Sequence, residues 1–357
     1  MLHPEMAERL SAASVSPELP LADALARLQQ AGTGILLVVG PDGRLVGTVT
    51  DGDVRRHLLS GATLSCPCGE LAERDPLIAP SDATPDEALS VMDHGREFVV
   101  NQLPLLDADR RPCGLLLRSD LVSAAPGPVS AVIMAGGLGT RLRPLTDGTP
   151  KPMLRVGDRP LLEHTIRRLR AAGIRDIKVT TCYLPEQIER HFGDGHDFDV
   201  TMTYVREDEP LGTAGALRLV PHDTAPLLVV NGDVLTSVDY RSMLDDHRSH
   251  RACITMAVRK YDLQVPFGVI ECRGARVRAL REKPVEHFVV NAGIYLVEPQ
   301  VLDFVPAGRR FDMTDLIQRA LDEDLPVMSY PIVEYWLDIG RPGDYERAQA
   351  DVLQLES

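Results

Sequence analysis

The chain has 357 residues, of which 44% are apolar and 25% are charged, and its formal net charge is −14 at pH 7. A chain of this length is expected to form two domains, and its composition excludes wholesale disorder. The acidic balance argues against nucleic acid as a partner, because neutralising phosphates dominates that affinity. No stretch approaches the ~18 apolar residues of a membrane-spanning helix, and no signal peptide is evident, so we expect a cytoplasmic protein without membrane contact.

The first 125 residues contain an internal repeat of a strand–turn–strand unit followed by a helix. A further helix precedes the strands in each copy. The strands are predicted at 34–39 and 45–49 in the first copy and at 103–106 and 113–117 in the second. Because a unit of ~60 residues buries too little surface for a good core of its own, the two copies are expected to pair about a pseudo-twofold axis.

A short motif, Gly47-Thr-Val-Thr50-Asp-Gly-Asp53, joins the second strand of the first copy to its helix. With this motif the repeat resembles a tandem pair of CBS domains, an α/β regulatory module of the Bateman type. In family members that bind adenine nucleotides, the threonine hydroxyl and the aspartate carboxylate hold the ligand. The resemblance therefore implies an adenine-nucleotide effector held by Thr50 and Asp53.

The same two residues have a second interpretation. Thr50-x-x-Asp53 also fits the N-terminal cap of a helix. In the second copy Leu117 stands at the hydroxyl position, so at most one of the two sites has the residues for a ligand. Ligand sensing and a purely structural or dimerising role both stay open.

The segment Ala124-Ala-Pro-Gly-Pro128 is rich in small and turn-forming residues, as linkers are. The cation composition also changes here, because all four lysines lie after it. We therefore expect one domain over 1–125 and a second over 129–357.

The second domain alternates strands and helices. Strands are predicted at 129–135, 177–181, 200–205 and 227–230, and helices at 159–172, 185–192 and 214–219. This βα alternation indicates an α/β fold with three layers around an open, Rossmann-like sheet. A ligand site is then expected at the carboxyl ends of the strands.

The loop after the first of these strands runs Gly136-Gly-Leu-Gly-Thr-Arg141 and is followed by Pro150-Lys151-Pro152. Glycines let backbone N–H groups approach phosphates, while Arg141 offers a planar fork and Lys151 a point charge. The spacing matches neither the dinucleotide-binding fingerprint nor the P-loop. A dinucleotide-dependent dehydrogenase and a P-loop ATPase therefore both lose support.

Four further motifs follow. They are Pro210-Leu-Gly-Thr-Ala-Gly215, Asn231-Gly-Asp233, the pair Arg281-Glu-Lys-Pro284 with Asn291-Ala-Gly293, and Tyr335-Trp-Leu-Asp338. With the glycine-rich string they make five separated motifs in one order. In this order they resemble those of sugar-1-phosphate nucleotidylyltransferases, over the whole second domain. The resemblance implies a mixed sheet, Mg²⁺ as cofactor, and an NTP and a sugar-1-phosphate as substrates.

The resemblance also implies roles for individual residues. For the nucleotide they are Gly136, Gly137, Gly139, Thr140, Glu209, Gly212 and Thr213; for the sugar phosphate, Gly268, Glu282, Lys283 and Asn291; for catalysis, Arg141 and Lys151; and for Mg²⁺, Asp233 and Asp338. The implied reaction is in-line attack of the sugar phosphate on the α-phosphorus with loss of pyrophosphate, which depends on positioning and charge neutralisation.

The acidic segment Glu207-Asp-Glu209 indicates which nucleobase the NTP carries. Guanine presents N–H donors on one edge, and a carboxylate can accept them. The segment also resembles the corresponding loop of mannose-1-phosphate guanylyltransferases, so GTP is favoured. A uridylyl- or cytidylyltransferase, a catalytically inactive nucleotide sensor, and a cofactor-dependent oxidoreductase remain as alternatives. Both families often self-associate, which implies a homo-oligomer.

Overall fold

The computed structural model describes residues 4–96, 99–121, 129–221 and 225–355. The predicted linker at 124–128 lies outside these ranges. Within them no helix is long and apolar enough to cross a membrane.

The N-terminal part consists of short helices around two small sheets. Its helices are α1 (Pro4–Ala13), α2 (Leu21–Ala31), α3 (Asp51–Leu59), α4 (Cys68–Leu71), α5 (Pro85–His94) and α6 (Arg118–Leu121), and its strands are β1 (Ser14–Val15), β2 (Ile35–Val39), β3 (Leu45–Thr50), β4 (Ala79–Pro80), β5 (Gln102–Leu106) and β6 (Pro112–Leu117). The sheets are ordered β1-β2-β3 and β4-β5-β6, each with one parallel and one antiparallel pair. The predicted internal repeat is confirmed.

The two sheets share an apolar core, which explains why neither unit stands alone. Ile35 and Leu37 of the first sheet pack with Leu106 and Leu115 of the second, and all four side chains are buried. The Leu45 N–H also donates to the Arg110 carbonyl at 3.0 Å and joins the two copies through their backbones. The helix that follows the strands of the first copy, α3, and the helix that precedes the strands of the second, α5, both begin with a complete capping box.

The second part is a larger α/β unit. Its helices are α7 (Leu161–Ala171), α8 (Pro185–Phe192), α9 (Gly212–Gly215), α10 (Tyr240–Ser249), α11 (Met313–Asp322) and α12 (Pro342–Leu355), and its strands are β7 (Ser130–Met134), β8 (Arg155–Val156), β9 (Arg159–Pro160), β10 (Asp176–Thr181), β11 (Thr201–Arg206), β12 (Leu227–Asn231), β13 (Val234–Thr236), β14 (Ile254–Gln264), β15 (Val269–Arg273), β16 (Arg276–Arg281), β17 (Val285–Val297), β18 (Val327–Pro331) and β19 (Trp336–Asp338). Two predicted helices differ: the first begins at Leu161 because the preceding pair of residues forms β9, and the third is a short α turn continued by a 3₁₀ turn.

Seven strands form one mixed sheet in the order β11-β10-β7-β12-β17-β14-β18. The first four are parallel, and β17 is antiparallel to both of its neighbours. Apolar residues of α7, α8 and α10 cover one face, while α9 and α11 cover the other. The predicted three-layer architecture with a mixed sheet is therefore confirmed.

The order of the strands determines where a ligand can bind. The chain passes from β7 to β10 on one side and later returns to β12 on the other. Such a reversal leaves a crevice at the carboxyl ends of the two central strands, because their connections diverge. Beyond the sheet, β14 and β17 continue as a long arm that carries the β15–β16 hairpin.

Candidate active site

A cavity of about 430 Å³ opens at the carboxyl ends of β7 and β12. The predicted residues that line it are Gly136, Gly137, Gly139, Thr140, Arg141, Lys151, Gly212, Thr213 and Asp233. Residues of three predicted motifs thus meet in one site, at the switch point of the sheet.

Two glycines of the first loop occupy positions where a side chain has no room. Gly139 has φ +63°, and a Cβ there would lie 3.0 Å from the Thr146 side chain. A Cβ on Gly136 would lie 2.3 Å from a carboxylate oxygen of Glu207. The Thr146 hydroxyl donates to the Gly139 carbonyl at 2.8 Å and holds the loop in place. The bare backbone can therefore come close to a phosphate group.

Lys151 forms an ion pair with Asp233 at the wall of the cavity. Its Nζ donates to Asp233 Oδ2 at 2.6 Å, and only 10% of the lysine side chain is exposed. The flanking Pro150 and Pro152 restrict the backbone around the lysine, which opens a 3₁₀ turn. A fixed ammonium group here faces the space next to the glycine loop.

Asp338 lies beside this site, at the end of a two-stranded ribbon, and is not among the residues that line the cavity. β13 begins directly after Asp233, β19 ends at Asp338, and Val234 stands opposite Asp338 in the antiparallel register. The Ile339 N–H donates to the Asp233 carbonyl at 3.0 Å. Burial, and then the negative charge of Asp233, raise the pKa of the Asp338 carboxyl above its usual value. Asp338 is thus close enough to Asp233 for the negative charge of the one carboxylate to act on the other.

This pair of carboxylates fits Mg²⁺. The ion prefers oxygen ligands, and it commonly takes one or two protein carboxylates with substrate phosphates completing its shell. Among the described residues no group of three or more His, Cys, Asp or Glu could hold a metal. The donor set at Asp233 and Asp338 therefore suits an ion shared with a bound phosphate, and a cation between them would relieve the charge repulsion that raises the pKa of Asp338.

The loop before α9 is tied to the start of α11. Gly212 has φ +83°, and a Cβ there would lie 2.5 Å from a carboxylate oxygen of Asp312. The Thr213 N–H donates to Asp312 at 3.0 Å, and the Thr213 hydroxyl accepts from the Met313 N–H at 2.8 Å. Asp312 and Arg310 both line the cavity and were missed from the sequence. Their segment carries no recognised motif, and only the tertiary fold brings it here.

Glu207 is a third lining residue to which the sequence analysis gave no role of its own, although it named the acidic segment 207–209. It lines the cavity, is 7% exposed, and accepts the Leu211 N–H at 3.0 Å. Burial raises the pKa of its carboxyl above the usual value. Glu209, the residue predicted for the nucleotide, is exposed and does not line the cavity. The signal available in the sequence was position, because Glu207 lies two residues after the predicted strand 200–205 and directly follows the observed β11.

The four residues predicted for the sugar phosphate lie on or beside the arm, outside the lining of the cavity. Gly268 and Glu282 are neighbours, since a Cβ on Gly268 would lie 3.0 Å from Glu282 Oε2. Lys283 is exposed, with φ +44°. The Asn291 amide donates to the Tyr295 hydroxyl at 2.8 Å, on the strand that pairs with β12. Their role in binding stays a prediction.

A second cavity, of about 620 Å³, lies between the N-terminal part and the sheet domain. Thr50, Asp51 and Asp53 at the start of α3 line one wall, and Asp245 and Asp246 of α10 line another. The Thr50 hydroxyl donates to Asp53 Oδ2 at 2.6 Å within a complete capping box. The capping interpretation is therefore confirmed, and the same residues face a space large enough for a small ligand.

Comparisons with known proteins agree with this architecture. The family model described as nucleotidyl transferase matches residues 130–355, and the CBS domain model matches residues 9–60 and 68–127. The mannose-1-phosphate guanylyltransferase of Mycobacterium tuberculosis is 39% identical over 237 residues, which cover 63% of this chain and 65% of the relative. The mannose-1-phosphate guanyltransferase of Kluyveromyces lactis is 35% identical over 248 residues, covering 64% and 65% respectively. The chain thus spans about 65% of the length of these relatives.

Solved structures show the same fold. A Bacillus anthracis protein assigned as a glucose-1-phosphate thymidylyltransferase matches with a TM-score of 0.51 and 26% identity, over 62% of this chain and 94% of that one. HddC from Yersinia pseudotuberculosis matches with a TM-score of 0.51 and 24% identity, over 62% and 99%. Motifs, sheet order and family model agree, and the chain belongs to the nucleotidyl transferase family of enzymes and carries a tandem pair of CBS domains.

Proposed function

We propose that this chain transfers a nucleotidyl group from an NTP to a hexose- or hexosamine-1-phosphate, giving a nucleotide sugar and pyrophosphate. The observation that carries the proposal is the cavity at the switch point, where a glycine loop open to phosphates faces the Lys151–Asp233 pair. Mannose-1-phosphate is the first acceptor to test, because relatives 35% and 39% identical carry it in their names. The product would serve surface-glycan or related sugar pathways.

The proposed reaction is a displacement at the α-phosphorus. An oxygen of the sugar phosphate forms the new P–O bond in line with the bond to pyrophosphate, which breaks and takes its electron pair to the leaving group. Both reactants are anions, so the reaction is slow until their charges are neutralised and their atoms are aligned. Arg141 and Lys151 supply fixed positive charge at the cavity, and the loop backbone at Gly136 and Gly137 supplies N–H donors.

Asp233 and Asp338 would hold Mg²⁺ in this scheme. The bound ion supplies additional neutralisation of phosphate charge and orients the phosphates. The chain's own contribution is to keep the two carboxylates together through the β13–β19 ribbon and to keep Lys151 beside them. Glu282, Lys283, Asn291 and the Gly268 backbone would then bind the sugar phosphate from the arm.

GTP is the proposed donor, and Glu207 supports it. Glu207 is a buried carboxylate on the cavity wall and already accepts one N–H, that of Leu211. It can accept further N–H groups from a ligand. The Watson–Crick edge of guanine presents two such donors, whereas uracil presents one and cytosine presents an acceptor beside its amino group. We therefore assign base selection to Glu207 rather than to the exposed Glu209.

The cavity between the two parts is the proposed site of an adenine-nucleotide effector. Thr50 and Asp53 line it with groups that can bind ribose hydroxyls. The opposite wall belongs to α10 of the transferase domain, so a ligand there would contact both the regulatory and the catalytic part. We propose the N-terminal 1–125 as the regulatory domain and 129–357 as the catalytic domain.

Pyrophosphate release with Mg²⁺ tests the activity directly. GTP, UTP, CTP, dTTP and ATP are each combined with mannose-, glucose-, glucosamine- and N-acetylglucosamine-1-phosphate. We expect turnover with GTP and mannose-1-phosphate. Turnover restricted to UTP or CTP would establish the uridylyl- or cytidylyltransferase alternative. Silence across all pairs with nucleotide still bound would favour the inactive sensor, and NAD(P)H binding would favour the oxidoreductase.

We also propose a cytoplasmic location and a homo-oligomeric state. All six cysteines are unpaired in the structure, as is usual for proteins of a reducing compartment. The oligomeric state comes from the resemblance to both families, and light scattering of the purified chain measures it.

A further inference from the structure

We propose that Arg55, in the CBS domains, is a positioning residue for Asp338, the second carboxylate of the candidate metal site. It would act through Glu334, which lies just before the strand that carries Asp338. The inference rests on the proposed function, because it takes Asp338 to be a metal ligand.

Arg55 lies on α3 and is buried against the sheet domain, with 3% of its surface exposed. Its Nη1 and Nη2 donate to the two carboxylate oxygens of Glu334, at 2.8 and 2.7 Å. Its Nε donates to Asp51, and Nη1 also donates to the Pro331 carbonyl at 3.1 Å. The guanidinium packs over the Tyr330 ring, 4.6 Å from the centroid. All these partners except Asp51 belong to the transferase domain.

A contact of this kind fixes geometry. The two parallel hydrogen bonds of an arginine fork set the orientation of a carboxylate as well as its distance. Burial acts to raise the pKa of the Glu334 carboxyl, but the hydrogen bonds and charge of Arg55 outweigh it, and the pKa lies below its usual value. If Arg55 were removed, the partly buried Glu334 carboxylate would lose its charged partner and keep the Val333 N–H, so the segment would be held less firmly.

The segment held by Arg55 leads directly to Asp338. β19 has only three residues, and Glu334 stands two residues before it. The Tyr335 carbonyl accepts the Thr236 hydroxyl at 2.8 Å and the Ser237 N–H at 3.0 Å, so this connection is fastened to the end of β13. β13 in turn starts beside Asp233. A shift of Glu334 therefore changes how β19 lies on β13, and with it the separation of the two carboxylates.

Other contacts between the CBS domains and the transferase domain lie elsewhere on the interface. The Arg251 guanidinium donates to the Asp93 carbonyl at 3.3 Å, and the Val99 N–H donates to the Ser249 carbonyl at 2.8 Å. Both join the second CBS repeat to the end of α10, away from β19. Arg251→Met is a control for the loss of an arginine contact between the parts, because Arg251 is exposed and does not touch the segment before Asp338.

The test measures metal binding separately from catalysis. Binding of Mn²⁺ alone is followed by EPR in the full-length wild type, Arg55→Met, Arg55→Lys and Arg251→Met, with Asp338→Asn as the variant that lacks the ligand. We expect Arg55→Met to weaken Mn²⁺ binding ~10-fold, as loss of a group that orients a metal ligand does. Arg55→Lys keeps the positive charge but loses the two parallel hydrogen bonds. Its Mn²⁺ affinity is therefore expected to lie between those of the wild type and Arg55→Met. The Mg²⁺ concentration for half-maximal rate rises in parallel, while the KM for GTP at saturating Mg²⁺ does not change.

The possible results separate this inference from the proposed function. Wild-type Mn²⁺ affinity in a folded Arg55→Met protein, or equal weakening in Arg251→Met, overturns it, and so does a wild type that binds no Mn²⁺. Weakened Mn²⁺ binding in a chain without transferase activity supports the inference and rejects the activity. If Arg55→Met does not fold, the double variant Arg55→Met/Glu334→Met, with no buried carboxylate left unpaired at 334, is expected to show the same weakening.

Discussion

Lys151 and Asp233 lie 82 residues apart in the chain, yet the Lys151 Nζ donates to Asp233 Oδ2 at 2.6 Å in the structure. The lysine comes from the loop region after β7, and the aspartate follows β12, so their contact is a product of the strand order. The pair joins a cation suited to phosphate with a carboxylate suited to a metal. Most of the chemistry proposed for this chain depends on that contact.

The first prediction concerns Lys151→Met. Loss of a fixed charge that neutralises the transition state costs ~10²–10³-fold in kcat. Pyrophosphate release with GTP and mannose-1-phosphate measures it. The chain offers a matched control in Lys178, which is similarly buried and whose Nζ donates to Asp176 at 2.6 Å. Lys178→Met is expected to change the melting temperature but not kcat, and equal kcat losses in both variants would contradict the role of Lys151.

The second prediction concerns the base. Glu207→Gln keeps the size of the side chain but replaces one acceptor by a donor, so kcat/KM for GTP should fall ~10–100-fold, the value of a hydrogen bond to a charged group. The kcat/KM for UTP should fall less. Asp208→Asn, at the exposed neighbouring position, serves as the control. A loss of GTP selectivity in Glu209→Gln instead would restore the residue predicted from the sequence.

The third prediction separates ligand binding from helix capping. Thr50→Val removes the cap of α3 and should cost ~1 kcal/mol of stability. Thr84→Val should cost about the same, because Thr84 and Glu87 form the same capping box at α5 and do not line the cavity. Calorimetric titration with AMP should show weaker binding only in Thr50→Val. Equal AMP affinity in the two variants would leave Thr50 with a structural role alone.

The fourth prediction is a pH dependence. Because burial and the charge of Asp233 raise the pKa of Asp338 above its ordinary value of 3.8, the folded chain holds this proton more tightly than the unfolded chain does. Ionised Asp338 therefore lowers the free energy of unfolding. This loss begins near pH 3.8 and grows as the pH rises through the raised pKa of Asp338. Asp338→Asn should melt above the wild type at pH 7, and the difference should disappear near pH 3.

Mg²⁺ provides the complementary measurement for Asp338. The ion should raise the melting temperature of the wild type at pH 7 and leave that of Asp338→Asn nearly unchanged, because binding to the native state stabilises it by mass action. The exposed Asp303→Asn is the control and should respond like the wild type. A full Mg²⁺ response in Asp338→Asn would remove this residue from the metal site.

Sequence reasoning reached the fold because its signals are local. The strand ending at Ala135, the glycines after it and the repeated motif around Thr50 all depend on residues close together in the chain. The three-layer order then follows from general rules for βα units. The resemblance to sugar-1-phosphate nucleotidylyltransferases assigned Lys151 and Asp233 to one site, and the rule that ligands bind at the carboxyl ends of strands gave its location.

The remaining features depend on contacts that no local pattern records. Asp312 reaches the cavity because its backbone neighbour pairs with the α9 loop, from a part of the chain without a motif. Glu207 and Glu209 have the same side chain but face different surroundings. Glu207, directly after β11, is buried, and Glu209, two residues later, is exposed to solvent. The contact of Arg55 with Glu334 joins positions 279 residues apart.

The close approach of Glu207 to Gly136 links the base selection proposed for Glu207 to the loop proposed to bind the phosphates. A Cβ at position 136 would lie 2.3 Å from a carboxylate oxygen of Glu207, so this buried side chain would have to move to admit it. Shortening residue 207 to serine would open that space, so Gly136→Ala should be tolerated in Glu207→Ser and not in the parent. Attempts to redesign the nucleotide preference through residue 207 therefore need to vary position 136 at the same time.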